Sequence, residues 1–183
     1  MDGQNRSWNE ILSMKETFRD HYFSYWISND LFSFAWWLIL VLNIVFIFVA
    51  IKLLDRTRLF EILTVGGLVV LLSSLLDTIL IQYCLTAYPT SLIPLIPPFF
   101  TSSTYVILPV LYMLLYQYFS TWKSFLIANV ITGAFLAFVV ENVYRWLNIY
   151  QYLQWNSFFS LLMYVGIAIV FKSIMVILLK SRK

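Results

Sequence analysis

Five long apolar runs joined by short polar connections leave this chain one medium in which it can fold. They cover approximately residues 32–54, 59–85, 97–119, 124–146 and 157–179. Each supplies the roughly 20 helical residues that cross about 30 Å of hydrocarbon. The spans must be helical, because lipid offers backbone amides no partners. The apolar–polar alternation of a transmembrane barrel is absent. Composition agrees: the 183 residues are 61% hydrophobic and 11% charged, against about 25% charged in a soluble domain. A buried core cannot absorb that shortfall, since a small domain always has much surface to wet. The sequence predicts an all-α polytopic transmembrane helix bundle of about five spans. A polar segment at 1–31 precedes a single membrane domain at 32–183.

The formal net charge is +3, but the basic residues gather at span ends. That pattern reports membrane topology; nucleic-acid binding would require a basic soluble face. One cysteine, Cys84, excludes an intramolecular disulfide and a cysteine metal cluster. His21 is the sole histidine, and no paired-histidine spacing accompanies it. No phosphate-binding, dinucleotide or nucleophile-elbow motif is present. The expectation is a protein without cofactor or metal, and its first span serves as the targeting signal.

The connections set an orientation. Lys52, Arg56 and Arg58 flank the first, Lys123 lies in the third, and Lys180, Arg182 and Lys183 close the chain. The positive-inside rule therefore puts these three regions in the cytoplasm and the N-terminus outside. An even span count with the N-terminus inside is the alternative. At the N-terminus, Trp8, Ile11, Leu12, Phe18, Tyr22 and Trp26 fall on about a third of a helix circumference. Lys15 and Arg19 share that stripe and can snorkel. This predicts an amphipathic interfacial helix, lying on the membrane or capping the bundle. Trp36, Trp37, Tyr118, Trp122, Trp146, Tyr150, Tyr152 and Trp155 form an aromatic belt at the span ends. Residues 88–98 hold four prolines in an uncharged apolar stretch, which forbids regular helix and suggests a rigid connector packed over the bundle.

Asp77 lies deep in the second apolar run, where a carboxylate costs about 2.5–3.5 kcal/mol unless partnered. On helical spacing it shares a face with Gly66, Ser73, Ser74 and Cys84. Counted from a cytoplasmic start at Leu59, it lies about 27 Å up the span; Glu141 lies about 25 Å up the fourth. Arg145 follows Glu141 at i+4, the spacing of an intrahelical ion pair. Depth matching thus predicts one polar cluster, Asp77, Glu141 and Arg145, in the outer third of the bundle. Such a group serves as an interhelical clamp, a proton or cation site, or an acid/base pair. Asp55, Arg56, Arg58 and Glu61 form a tight charged cytoplasmic turn, with Asp55 as N-cap and Glu61 favoured by the helix dipole. Lys172 lies inside the fifth span, within snorkelling reach of the cytoplasmic surface. Gly66, Gly67 and Gly133 offer close helix approach, and Pro109 predicts a kink in the third span.

Taken in order, residues 54–61 (LDRTRLFE), Asp77, Tyr88-Pro89, Leu108-Pro109-Val110, Tyr116-Gln117-Tyr118-Phe119, Trp122-Lys123-Ser124-Phe125 and Glu141 before Trp146-Leu147 resemble an uncharacterised family of small multi-pass membrane proteins from bacilli and clostridia, the spore-forming Firmicutes. Asn142 and Ala87 stand where the family pattern has proline and tryptophan. The resemblance implies a bacterial cell-membrane protein and brings no activity with it. Residue chemistry favours a non-enzymatic structural or partner-binding membrane component, whose partners are the bilayer and a second membrane protein or copy of itself. The alternatives are a transport or proton-coupled component using Asp77 and Glu141, and a lipid- or isoprenoid-modifying enzyme.

Overall fold

The computed structural model describes residues 2–95 and 104–181, with side chains from residue 7 to residue 180 of that set. Residues 96–103, the expected start of the third span, lie outside it, as do Arg182 and Lys183. The order is α1 (Asp2–Tyr25) running into a π-helical turn (Trp26–Asp30), α2 (Phe34–Leu53), a 3-10 turn (Arg56–Arg58), α3 (Leu59–Gln82) and β1 (Thr86–Ala87). Then come α4 (Ile107–Tyr118), α5 (Trp122–Phe135), a second π-helical turn (Leu136–Val140), α6 (Glu141–Trp146), β2 (Gln151–Tyr152) and α7 (Ser157–Ser181).

Four helical segments, Phe34–Leu53, Arg56–Gln82, Trp122–Trp146 and Ser157–Lys180, are long and apolar enough to cross a membrane. The chain is an all-α membrane bundle. The expected third span differs, because α4 has 12 residues and reaches only about 18 Å, short of the hydrocarbon thickness. Pro109 does not kink it. It occupies the first turn of α4, where the missing amide proton has no intrahelical acceptor to lose.

This short helix is the most enclosed of the set. Ile107, Leu108, Pro109, Val110, Tyr112, Met113 and Tyr116 are buried against α2, α3 and α5. The core joins them to Ile62, Val65 and Val69 of α3, Phe125 of α5, and Ile167, Phe171 and Met175 of α7. Phe48, Phe60, Leu71, Ile131 and Ile177 point outward and exposed, as a lipid-facing surface requires. A Cβ on Gly66 would stand 2.8 Å from Met113 Sδ, and one on Gly133 would stand 3.3 Å from Tyr164 Cβ. Gly67 faces open space, so the expected close approach holds at two of the three glycines.

Both π-helical turns keep an acid facing inward. Phe125, Asn129, Gly133, Ala137 and Glu141 are buried at intervals of four. An ideal helix would rotate such a series by about 40° per step, and the wider turn at Leu136–Val140 takes up that drift. Tyr22, Trp26 and Asp30 repeat the pattern across Trp26–Asp30.

Two polar ends result. At one, Asp55 N–H donates to Gln117 Oε1 (2.8 Å), and Gln117 Nε2 donates to Leu53 O (2.9 Å). Arg58 forms a two-pronged pair with Glu61 (2.8 and 3.2 Å), and Tyr116 Oη donates to Glu61 (2.7 Å). Asp55 caps its turn by accepting from Thr57 N–H at 2.8 Å, as its N-cap position implies. Lys172 is buried there, not lifted to the surface. Its ammonium donates to Phe119 O (3.2 Å) and Ser120 O (3.1 Å) and lies 3.9 Å from the Phe125 ring centroid.

The other end carries Asp77 and Glu141. There β1 and β2 pair antiparallel, Thr86 with Tyr152 and Ala87 with Gln151. The proline-rich connection folds back onto the bundle and buries Thr90, Ser91 and Leu92.

Candidate functional site

Asp77 is held from both ends of the connection between α3 and α4. Its Oδ1 accepts from Tyr88 Oη at 2.7 Å and its Oδ2 from Thr104 Oγ1 at 2.9 Å. Tyr88 follows β1 directly, so strand pairing with β2 fixes where its ring stands. Glu141 has its own donors, from α7 and β2. Tyr164 Oη of α7 donates to its Oε1 at 2.6 Å, and Tyr152 Oη of β2 donates to its Oε2. Glu141 is 7% exposed, and its carboxylate is compensated by these hydroxyl donors.

One cavity of about 70 Å³ is lined by both acids. Its walls include Ser73, Tyr88, Tyr144, Tyr150, Trp155, Ser160 and Tyr164. That volume accommodates a few waters or a ligand of a few heavy atoms. Tyr150 stands under the influence of both carboxylates. Burial first, then the negative charges of Glu141 and Asp77, raise its phenol above the ordinary value. Burial and Asp77 do the same to Tyr88, and burial with the Glu141 hydrogen bond does so to Tyr152. The phenols of Tyr88 and Tyr152 therefore remain protonated donors to the acids at neutral pH.

Arg145 does not pair with Glu141. Its guanidinium lies 4.4 Å from the centroid of the Tyr152 ring, and its Nη1 donates to Asn142 Oδ1 at 3.0 Å. Ion pairs among the described residues are Arg19–Asp20 and Arg58–Glu61. Strand pairing brings the Tyr152 ring beside α6, and Asn142 offers an uncharged acceptor one turn back. Of the predicted trio, two acids share the cavity, and Arg145 is joined to it only through Tyr152. Cys84 leaves the predicted α3 face: it lies past the helix end with φ 52° and is exposed. His21 is exposed on α1. Among the described residues no group of three or more histidine, cysteine or acidic side chains could hold a metal ion.

Sequence reasoning missed Asp30. It is 1% exposed and accepts from Ser91 N–H at 3.0 Å. Burial raises its carboxyl above the ordinary value, opposed by that hydrogen bond. The four-residue recurrence Tyr22, Trp26, Asp30 is the signal that could have found it. The tyrosine donors carried no comparable signal, because belt positions rich in tyrosine are expected in any such protein.

Fold and site together define a multi-pass helical membrane protein with an acidic, tyrosine-walled cavity at one end of its bundle. Comparison with protein-family models, curated proteins and solved structures finds no match.

Proposed function

We propose that this chain is a non-enzymatic component of a bacterial cell membrane that binds a small monovalent cation in the Asp77–Glu141 cavity. The observation that carries the reading is the direction of the hydrogen bonds. The hydroxyls of Tyr88, Thr104, Tyr152 and Tyr164 all donate to the two acids. What the cavity then offers a ligand is carboxylate and hydroxyl lone pairs and aromatic faces. Those attract a cation and repel an anion. Two carboxylates, with no basic side chain among the described lining residues, add a negative field. An ammonium or methylammonium ion matches the mixture of acceptors and rings. The family resemblance supports the bacterial address, and the basic residues at the opposite end support its cytoplasmic orientation.

Calorimetric titration of the purified protein in nanodiscs with methylammonium chloride, against sodium chloride as the ionic control, tests this. Saturable heat with methylammonium is the expected result. Proteoliposome flux then separates a binding component from a transporter.

The structural or partner-binding reading has its own support in the exposed stripe of α1, whose Trp8, Ile11, Leu12 and Phe18 have at least 40% exposure. The lipid-modifying enzyme has less: acid/base work calls for a carboxyl free to exchange its proton with substrate, and both acids already accept from hydroxyl donors.

A further inference from the structure

The α1 stripe is continuous with a face that already docks. Tyr22 Oη donates to Ser91 Oγ at 3.1 Å, Trp26 Nε1 donates to Ser91 O at 2.8 Å, and Asp30 accepts from Ser91 N–H. At 100° per residue, Trp8, Ile11, Lys15 and Phe18 lie within about 40° of Tyr22. The same face is therefore seated on residue 91 at one end of the helix and uncovered at the other.

Residue 91 lies beside the first turn of α2, at the end of a candidate span. Trp36, in the first turn of α2, donates from Nε1 to Leu92 O at 3.1 Å, and Phe32 and Trp37 meet its ring edge-to-face, a grouping of the kind enriched at membrane–water interfaces. Between Asp30 and α2 the chain turns sharply, with Phe32 at φ 62°, so α1 cannot continue the axis of α2. A 24-residue helix extends about 36 Å, well past the connection that holds its C-terminal end.

From this continuity we infer that the N-terminal part of α1 lies along the bilayer surface, with Trp8, Ile11 and Phe18 inserted among lipid chains beside the bundle. The occupant of the stripe is lipid, and apolar contact drives the binding. Residues 1–31 carry five acids (Asp2, Glu10, Glu16, Asp20, Asp30) against three bases (Arg6, Lys15, Arg19), so attraction to anionic headgroups is not the cause.

The test uses the full chain in phosphatidylcholine vesicles. On a Cys84→Ser background, Ile11→Cys or Ser13→Cys carries a fluorescent label. Ser13 lies on the opposite face and is exposed. Lipids bearing a quencher at the upper acyl chain should reduce emission several-fold at position 11 and little at position 13. The contrast should survive about 1 M salt, where the Debye length is only about 3 Å. Equal quenching at both positions would overturn the inference, as would loss of the contrast in salt. So would absence of lipid quenching at 11 accompanied by label-to-label energy transfer that grows with protein density, since a second copy would then be the occupant.

Discussion

Arg145 stacks on Tyr152, the residue whose hydroxyl donates to Glu141. One tyrosine thus joins the Arg145 guanidinium to the Glu141 carboxylate by two different contacts, its face and its edge. Tyr152→Phe keeps the ring under the guanidinium and removes the donor to Glu141. Loss of one such bond should lower stability by about 1–2 kcal/mol, read as an earlier melting transition in detergent. Arg145→Ala should change the melting transition less, since Arg145 is exposed.

Tyr164→Phe removes the other tyrosine donor to Glu141. Because Glu141 is buried, its two tyrosine donors act on one group, and their losses should not add. The double variant should depart from the sum of the singles by more than about 0.5 kcal/mol in a thermodynamic cycle.

Gly133 and Gly67 make a matched pair for packing. Gly133→Val would drive side-chain atoms against α7 at Tyr164 and Leu161, destabilising by about 1–3 kcal/mol. Gly67→Ala meets nothing and gains helix propensity of up to about 1 kcal/mol. Thermal melts of the two variants should shift in opposite directions.

Asp30 and Asp55 should respond to acid with opposite signs. Burial holds the Asp30 carboxyl above its ordinary 3.8, so docking of α1 is strongest below that value and weakens as pH rises through the raised one. Thr57 donors hold Asp55 below 3.8, so its cap is fully present above 3.8 and is lost as pH falls through the depressed value. A spin label at Phe23→Cys, on the Cys84→Ser background, should report increasing mobility of α1 as pH rises from about 4. With Asp30→Asn added, that dependence should flatten.

How far the residues announced this arrangement depends on what fixes each one. The depth of Asp77 and Glu141 follows from helical rise alone, and that was enough to place them at matching levels; both line the same cavity. Their donors come from residues at a two-strand pairing, from Thr104 just before α4 and from α7, and such long-range partners leave no periodic trace in one sequence. The i+4 spacing of Glu141 and Arg145 permitted an ion pair, but a tertiary contact with Tyr152 won. Apolar length suggested a spanning helix over 97–119, whereas burial among other helices allows α4 to be short. An acid just before a span reads as solvated, so the four-residue recurrence Tyr22, Trp26, Asp30 is a weak signal until the π-helical turn is seen to keep Asp30 on the Tyr22–Trp26 face.

The cation site stands or falls on its two acids acting together. Methylammonium titration by calorimetry should be compared among the native chain, Asp77→Asn and Glu141→Gln, with cooperative melting verified for each. Saturable binding to the native chain, weakened at least about tenfold (1.4 kcal/mol) in both variants, is the predicted result. Absence of saturable binding to the native chain, or undiminished binding in either folded variant, would contradict it.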